Sequence, residues 1–502
     1  NYMLRSLDPY TVYYPAEDVK DLDLLITGKY AGIGALIRYD MVLKRVTIDE
    51  PYEKQPAAEA GLKKGDILLA IDNIDITNKD TKFVSQHLRG DAGTSFILKV
   101  LRPTTNKIMK LKITRRAIQM PAVPYYGLQE NGIGYLNLNQ FTTDCSKDVR
   151  RAFIEMKTQG MQKLVLDLRN NGGGSLQEAV NIVNMFVPKG VTLVKTKGRL
   201  ERANRDYKTT MEPIDTVMPI VVLVNGETAS SSEITSGSLQ DLDRAVVLGT
   251  RTYGKGLVQV PIDLPYNGSL KLTTAKYYIP SGRCIQAINY KHNKGGYIEH
   301  VPDSLTKEFH TLGGRIVRDG GGIKPDIEVK PDSLPNIAFY LASAGQDSTE
   351  VMHNWEMKYI KNHPTIGAAK TFSITDADYD DFKQTVINSG FKYDRESKKY
   401  LDQLEKLAKF EGYYDDAKPE FEVLEKKLKH NLAKDLEFNR KTLKQVLSAD
   451  LVRVYYYQRG GIENSLQWDK QWQAATKLLL NEDEYNKVLA PTIAKQTTES
   501  HK

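Results

Sequence analysis

The feature of this sequence that most constrains its fold is a set of short apolar segments that alternate with segments of helical period. Lys163–Leu168 and Ile220–Val224 are nearly continuous apolar runs of strand length. Each leads through a polar turn into a helical segment, Leu176–Phe186 and Ser231–Gln240. Strands that are apolar along their whole length are buried on both faces, because helices cover both sides of the sheet. We therefore predict a layered α/β core over residues 118–335.

The chain is too long for that core alone. Its 502 residues exceed what one hydrophobic core usually serves. Residues 27–117 have the short strands and turns of a mainly-β domain, in which Ala31–Ile37 is predicted as one strand. After Pro335 the sequence becomes rich in Lys and Glu and has helical period. We predict four segments: residues 1–26, which join the core, the β domain at 27–117, the α/β core at 118–335 and a helical domain at 336–502.

Two details of the helical tail indicate how its helices run. Leucines recur every four residues, which predicts one apolar helical face made of Leu424, Leu428, Leu432 and Leu436. Gly460 and Gly461 are predicted to end a helix, because glycine is favoured just past helix C-termini.

Composition and spacing argue against several classes of protein. The net charge is +7, but Lys and Arg are spread along the chain, so no nucleic-acid partner is predicted. The sequence has no zinc-type Cys or His spacing, and we predict neither a metal nor another cofactor. No apolar run approaches the about 18 residues of a membrane-spanning helix, and no signal segment follows Asn1. Cys145 and Cys284 lie far apart in sequence, and whether they pair is left open.

A serine at a predicted strand-to-helix turn is the first candidate for chemistry. The strand that ends at Val224 is followed by a polar turn, and Ser230 then opens a helix. Helix N–H groups beside such a serine favour an oxyanion, although the hydroxyl needs an adjacent base to act as a nucleophile. The alternative is that Ser230 and the two serines after it only cap the helix.

The second candidate is a lysine between two glycines, Lys255. A lysine is protonated at pH 7, but burial in an apolar pocket lowers its pKa by up to about 3–5 units and makes it a usable base. Gln259, four residues further on, could orient the amine through its amide oxygen. The alternative is a solvated lysine in a turn.

Together these segments resemble the motif of the carboxyl-terminal processing, or tail-specific, serine proteases. That motif reads Ser-x-x-Glu and then Gly-Lys-Gly-x-x-Gln, and here Ser230 and Lys255 are 25 positions apart, as in the family. The resemblance implies that Ser230 is the nucleophile, Lys255 the general base of a Ser-Lys dyad and Gln259 the residue that positions the base. Asp241 falls where the family has a structurally important aspartate.

Residues Val165–Gly174 resemble the family's strand and glycine loop. The loop reads Asn171-Gly172-Gly173-Gly174 where the family usually has Asn-Pro-Gly-Gly. The resemblance implies that Gly173 or Gly174 supplies one N–H of an oxyanion hole and that Ser231 supplies the other. A phosphate cradle is the alternative, but the loop lacks the Gly-Lys-Ser/Thr ending of a P-loop.

Residues 27–117 resemble a PDZ domain of the kind attached to bacterial proteases. The resemblance implies that an extended peptide pairs with a strand edge while a glycine-containing loop, formed by Gly32, Ile33, Gly34 and Ala35, holds its terminal carboxylate. Val84 and Leu88, one helical turn apart, would line the pocket for the last side chain. The alternative is that both are ordinary core residues of their helix.

The resemblance as a whole covers residues 1–335. It implies an α/β fold with a crotonase- or ClpP-like layered protease core and an inserted PDZ domain, to which the sequence pattern of the tail adds a C-terminal helical domain. It also implies an endopeptidase that binds exposed C-terminal tails of proteins and acts in a bacterial periplasm or envelope. Self-association into homo-oligomers is left open. The alternatives are a non-catalytic PDZ scaffold and a crotonase-type acyl-CoA enzyme.

Overall fold

The computed structural model describes residues 1–287, 302–342, 350–394, 396–428 and 431–491. The chain divides into two compact units. The first unit comprises residues 1–29, 119–331 and the segment from 469 onward, and the second comprises residues 30–118 and 332–468. The predicted β domain is thus inserted into the sequence of the first unit, and the helical tail contributes to both units.

The strands of the described residues are named in chain order: β1 (Val12–Tyr14), β2 (Lys29–Gly32), β3 (Ala35–Asp40), β4 (Arg45–Pro51), β5 (Ile67–Ile71), β6 (Ile74–Asp75), β7 (Ser95–Arg102), β8 (Lys107–Thr114), β9 (Arg116–Gln119), β10 (Tyr125–Leu128), β11 (Ile133–Asn137), β12 (Lys163–Asp167), β13 (Thr192–Gly198), β14 (Arg205–Lys208), β15 (Ile220–Val224), β16 (Val246–Gly249), β17 (Leu257–Asp263), β18 (Ser269–Tyr278), β19 (Glu308–His310), β20 (Ile316–Arg318) and β21 (Ile327–Glu328).

The α-helices are named in the same way: α1 (Val19–Thr27), α2 (Pro56–Glu59), α3 (Thr81–Leu88), α4 (Cys145–Thr158), α5 (Leu176–Val183), α6 (Ser231–Asp241), α7 (Asn336–Ala342), α8 (Val351–Asn362), α9 (Asp376–Asn388), α10 (Glu396–Glu411), α11 (Tyr414–Lys427), α12 (Leu432–Phe438), α13 (Arg440–Ser465), α14 (Lys470–Leu480) and α15 (Glu482–Leu489).

A six-stranded sheet forms the centre of the first unit. Its order is β10-β11-β12-β15-β16-β21, and all its pairs are parallel except that of β10 with β11. Leu166 and Val222 point to one face, where they pack in a single cluster with residues of α4, α5 and α6. Val165 and Val221 are buried on the other face, and α14 contacts β12 and β15. Both faces are therefore covered, which explains why the strands are apolar throughout.

A second sheet in this unit holds the N-terminal segment. Its order is β1-β18-β13-β14, and β17 also pairs with β18. Because β1 pairs antiparallel with β18, the first residues of the chain fold with the α/β unit. Cys145 and Cys284 of this unit are free thiols.

The second unit contains a mainly-β domain built on an antiparallel sheet of order β3-β4-β5-β7-β8, with β6 paired to β5. The predicted strand Ala31–Ile37 is broken into β2 and β3, because Gly34 between them has a φ of 71°. The ammonium group of Lys64 in this domain forms ion pairs with Glu356 at 3.3 Å and Asp450 at 2.9 Å, so the helices of the unit pack against the β domain.

Two predictions about the helical tail are wrong. The four leucines do not share a helix, since α11 ends at Lys427 and α12 begins at Leu432, and only Leu436 is fully buried. Gly460 and Gly461 do not end α13, which is interrupted earlier, at Tyr457 (φ 59°, ψ −171°), and then continues through both glycines to Ser465; both glycines are buried. A Cβ on Gly461 would approach the side chain of Arg453, so close packing explains these glycines better than helix termination. Across the described ranges, no helix combines the length and apolarity needed to cross a membrane.

Candidate active site

Ser230 lies at the junction between the central strand β15 and helix α6. It is the N-cap residue of α6, and its φ and ψ of 57° and −116° belong to a region that residues other than glycine rarely adopt. Its backbone N–H donates to Oε2 of Glu233 at 2.8 Å. The serine therefore occupies a capping position and is also held in an unusual backbone conformation, of the kind that occurs at functional sites.

A cavity of about 670 Å³ opens beside this turn. Six residues that the sequence singled out line it: Ser230, Ser231, Lys255, Gln259, Gly173 and Gly174. Apolar side chains form much of the remaining wall: Leu22, Leu25, Ile26, Leu176, Ile234, Leu257, Val258 and Pro261. The fold thus brings candidates from three separate segments of the sequence to one site.

Lys255 is half-buried at this cavity. Burial lowers its pKa from 10.5 to about 8, with a further contribution from the positive charge of Lys271, which lines the same cavity. Its Nζ lies 4.7 Å from the centroid of the Tyr10 ring. Within the described residues, no hydrogen bond joins this amine to Oγ of Ser230. The lysine therefore has the acidity of a usable base, but it rests beside an aromatic ring.

Glu233 collects four hydrogen bonds in the site. Its Oε2 accepts the backbone N–H of Ser230 at 2.8 Å and that of Lys255 at 2.9 Å. Its Oε1 accepts the N–H of Gly254 at 2.7 Å and the hydroxyl of Thr252 at 2.5 Å. Burial raises the pKa of this carboxyl to about 7, although the four donors act in the opposite direction. One carboxylate thus connects the backbone of the candidate nucleophile to that of the candidate base.

Tyr277 contacts the carbonyl oxygens of the same two residues, Ser230 and Lys255, whose N–H groups Glu233 accepts. Its hydroxyl lies 3.2 Å from the carbonyl oxygen of Ser230 and also hydrogen-bonds that of Lys255. Strand β18 places the residue, since its backbone N–H donates to the carbonyl of Gly256 at 3.0 Å. The side chain is fully buried, and burial raises the pKa of the phenol well above its usual value. The hydroxyl therefore keeps its proton at any pH near neutral.

The glycine loop lies directly against the serine. Gly173 has a φ of 97°, and a Cβ there would stand 2.8 Å from Cβ of Ser230, so a side chain is excluded. Its N–H donates to Oδ1 of Asn171 at 2.9 Å. In the part of the chain that the structure describes, the N–H groups of Gly174 and Ser231 have no acceptor. These contacts favour Gly174 over Gly173 as a donor to an oxyanion.

Gln259 and Asp241 have different surroundings. Gln259 donates through Nε2 to Oγ1 of Thr273 at 3.3 Å, and no hydrogen bond joins it to Lys255 in the described ranges, so its positioning role stays a prediction. Asp241 is fully buried in an ion pair with Arg283 at 2.7 Å, and its other oxygen accepts the N–H of Ser281 at 3.0 Å. It fixes the end of α6 and does not line the cavity.

The predicted peptide-binding loop Gly32–Ala35 joins β2 to β3 in the second unit. β3 is the terminal strand in the order of its sheet, which is the position that an added peptide strand requires. Val84 and Leu88 are 0% and 4% exposed and pack with Ile33 in the core of the domain. Their burial agrees with the interpretation that both are core residues of the helix. Their role in a peptide-binding pocket stays a prediction.

Tyr30 lies at the same loop. A Cβ on Gly32 would stand 2.8 Å from the Tyr30 ring, and the guanidinium carbon of Arg89 lies 5.5 Å from the ring centroid. Burial raises the pKa of the phenol to about 12, while the backbone N–H groups of Gly34 and Ala35 lower it. These two N–H groups belong to the loop that the sequence assigned to a substrate carboxylate.

Sequence reasoning missed the parts played by Glu233, Tyr277 and Tyr30. Glu233 is the glutamate of the Ser-x-x-Glu motif and complements the dipole in the first helical turn, but the motif does not reveal the four hydrogen bonds that its carboxylate accepts. Tyr277 and Tyr30 gave no signal of their own, because a tyrosine in a strand usually indicates packing.

Three segments of the chain match known protein families. Residues 132–299 match Peptidase family S41, residues 47–102 match a PDZ domain, and residues 340–479 match the family described as "Probable PDZ-protease, C-terminal helical domain". These matches confirm the predicted fold: an α/β protease core, a PDZ domain and a C-terminal helical region.

Two bacterial relatives agree with the family matches. A carboxy-terminal-processing protease from Bartonella bacilliformis is 39% identical over 292 residues, which cover 57% of this chain and 66% of that protein. A carboxyl-terminal-processing protease from Picosynechococcus sp. is 36% identical over 282 residues, which cover 55% of this chain and 67% of that protein. The solved structure of a photosystem II D1 C-terminal processing protease is 28% identical, has a TM-score of 0.37, and is matched over 66% of this chain and 81% of that one.

The chain thus spans just under two thirds of the Bartonella protein and just over two thirds of the Picosynechococcus protein. With identity at this level over such a share of a relative, and with matches to the peptidase, PDZ and helical-domain families, the chain belongs to peptidase family S41, among the carboxyl-terminal-processing proteases.

Proposed function

We propose that this chain is a serine endopeptidase that cleaves proteins bearing exposed C-terminal tails through a Ser-Lys mechanism. The observation that carries the proposal is that Ser230 and Lys255 line one cavity, with the pKa of the lysine lowered to about 8. A base is most effective when its pKa lies near the working pH. The glycine loop at the same cavity supports acyl transfer, since such chemistry needs N–H donors for an oxyanion.

In the proposed reaction, Lys255 first moves its amine from the Tyr10 ring to the hydroxyl of Ser230. Oγ of Ser230 attacks the scissile carbonyl carbon while Nζ of Lys255 takes the hydroxyl proton. The N–H groups of Gly174 and Ser231 stabilise the oxyanion. As the C–N bond breaks, Lys255 returns the proton to the leaving amine, and the acyl group remains as an ester on Ser230.

Deacylation uses the same groups. Water attacks the ester carbon and gives a proton to Lys255, which passes it to Oγ of Ser230 as the acid leaves. Gln259 would orient the amine in both steps, from its place in the same cavity.

We assign recognition of the tail to the β domain at 27–117. The loop Gly32–Ala35 would hold the terminal carboxylate, the tail would add a strand to the edge of β3, and Val84 and Leu88 would meet its last side chain. The protease core at 118–335, completed by residues 1–26, would cleave upstream of the tail. The bacterial relatives support a location in the periplasm or cell envelope.

Mass spectrometry of the fragments from a peptide with an unstructured, apolar tail tests the proposal. Wild type should cleave it, whereas Ser230→Ala and Lys255→Met should not. The same peptide with an amidated C-terminus is the matched substrate, and its kcat/KM should fall because the carboxylate is lost. Cleavage by Ser230→Ala would exclude this nucleophile. Tail binding without cleavage by wild type would instead support the scaffold alternative.

A further inference from the structure

The backbones of Ser230 and Lys255 are linked both through their N–H groups and through their carbonyl oxygens. One carboxylate oxygen of Glu233 accepts both N–H groups, at 2.8 and 2.9 Å. One hydroxyl, that of Tyr277, contacts both carbonyl oxygens. The two residues come from separate segments, the start of α6 and the loop before β17. These segments are joined by a backbone hydrogen bond from the N–H of Tyr253 to the carbonyl of Thr228 at 3.0 Å, and at Ser230 and Lys255 themselves by the two side chains.

Such a link matters for chemistry. A misplacement of about 1 Å between reacting groups can cost about 100-fold in rate. The amine of Lys255 is joined to its backbone by four flexible methylene groups, so its reach toward Ser230 depends on where that backbone is held. A hydroxyl that contacts both carbonyls sets the separation between the two backbones.

We propose that Tyr277 is a positioning residue for the Ser-Lys reaction, because its buried hydroxyl holds the carbonyls of Ser230 and Lys255 at a fixed separation. The inference rests on the proposed function. Tyr277 also lines the cavity, but its hydroxyl is directed at the two backbone carbonyls and forms its hydrogen bonds with them. A phenol has one proton to donate and two acceptors here, so the two carbonyls share it.

A second buried tyrosine in the same unit provides the matched control. The hydroxyl of Tyr485 exchanges hydrogen bonds with the backbone of Ile220, at 3.0 Å to both the N–H and the carbonyl. It is as fully committed to backbone as that of Tyr277, but Ile220 begins β15 and lies outside the cavity. Removal of either hydroxyl takes away a buried hydrogen bond of similar kind, so the stability cost should be similar.

The experiment compares Tyr277→Phe and Tyr485→Phe with wild type by three measurements: the rate at which a fluorophosphonate labels Ser230, kcat and KM on a tailed peptide, and the melting temperature. Tyr277→Phe should lose about 10- to 100-fold in labelling rate and in kcat with KM unchanged. Tyr485→Phe should keep both rates within about twofold while losing similar stability. Tyr277→4-aminophenylalanine, which keeps a donor at the same ring position, should recover most of the rate.

Two results would overturn the inference: rates of Tyr277→Phe within about twofold of wild type, or equal losses of rate in both tyrosine variants. If Tyr277→Phe does not fold, 4-methylphenylalanine at this position fills the volume of the hydroxyl without donating and takes its place. Labelling of wild type without peptide cleavage rejects the endopeptidase proposal and still tests Tyr277. Absence of both labelling and cleavage in wild type rejects both.

Discussion

The carboxylate of Glu233 accepts the backbone N–H of Ser230 at 2.8 Å from within the first turn of the same helix. At a helix N-terminus this is half of a capping box, which ordinarily serves only to stabilise the helix. Here the same oxygen also accepts the N–H of Lys255, and the second oxygen serves Gly254 and Thr252. A local capping residue has thus become the link between two distant segments of the site.

Replacement of Glu233 by Gln should therefore lower kcat, and the fall in kcat should be larger than the loss of folded protein alone explains. The amide keeps one acceptor oxygen and adds two donors, so it cannot satisfy four donors. Each buried donor left without a partner costs about 1–3 kcal/mol. We expect kcat to fall at least about tenfold and the melting temperature to fall as well, because the lysine and serine backbones are released. Peptide kinetics and thermal denaturation measure the two effects.

Asp40→Asn is the control for that variant. Asp40 is a buried carboxylate of the second unit that accepts the N–H groups of Val42 and Leu43, at 3.0 and 2.8 Å. The Asp40→Asn variant should have a lower melting temperature than wild type but the same kcat. If Glu233→Gln keeps the kcat of wild type, the link between the two segments has no catalytic importance.

The pH dependence of kcat/KM should report the ionisation of Lys255. The base acts in its neutral form, so activity should rise about tenfold per pH unit below the midpoint and level off above it. The lowered pKa places that midpoint near pH 8. The charge of Lys271 contributes to this lowering, so Lys271→Met should move the midpoint to higher pH.

Lys276→Met is the matched control for the Lys271 variant. Lys276 lies on the same strand β18 but is exposed and does not line the cavity. It should leave the midpoint unchanged. A midpoint that moves equally in both variants would indicate a general effect of net charge. A midpoint near pH 10.5 in wild type would contradict the assignment of Lys255 as a desolvated base.

Removal of the Lys255 amine should stabilise the fold at neutral pH. The pKa of this lysine is about 8 in the folded chain and 10.5 when unperturbed, so the unfolded chain binds more protons between these values. The folded state therefore carries the full cost of a buried charge below pH 8, and this cost disappears as the pH approaches 10.5. Lys255→Met should be inactive and more stable than wild type to urea at pH 7, and the difference should shrink between pH 8 and pH 10.5.

Lys276→Met should show no such pH-dependent gain, since its side chain is exposed. A Lys255→Met variant that is less stable at pH 7 would mean that the amine contributes more through its contact with the Tyr10 ring than burial costs it.

The layered core could be predicted from sequence because it depends on local patterns. The apolar strand Ile220–Val224, its polar turn and the helix after it occur where the sequence places them. The helices of the tail were harder to predict, because leucine spacing does not reveal the break between α11 and α12. Gly460 and Gly461 were misread, since the close contacts that favour glycine there come from Tyr456 and Arg453, which precede a break in α13 at Tyr457 that the sequence does not reveal.

The residues of the candidate active site also differ in whether local sequence could predict them. Ser230 and Lys255 could be found from motifs, because each motif is local. Tyr277 could not, since its role arises only when β18 pairs with β17 and brings the phenol under two carbonyls that lie 25 positions apart. The register of a strand pair depends on tertiary packing that no single segment encodes.

Tyr30 should limit the affinity of the PDZ domain for tails. The backbone N–H groups of Gly34 and Ala35 lower the pKa of its phenol, and they are the groups that a terminal carboxylate would need. Removal of the phenol oxygen in Tyr30→Phe should tighten the binding of a free-carboxylate tail by up to about fivefold, the equivalent of at most one hydrogen bond. Fluorescence polarisation with a labelled tail peptide, in the Ser230→Ala background that prevents cleavage, measures the change.

The amidated form of the same peptide and the variant Tyr52→Phe separate this effect from a general change in the loop. The amidated peptide has no carboxylate to compete, so Tyr30→Phe should not alter its binding. Tyr52 is close enough to Tyr30 to raise the pKa of its phenol. The variant Tyr52→Phe therefore removes an adjacent phenol that is not assigned to these N–H groups, and it should leave tail binding unchanged. If Tyr30→Phe instead weakens binding of the free tail, the hydroxyl donates to the carboxylate, and Tyr30 belongs to the recognition site rather than blocking it.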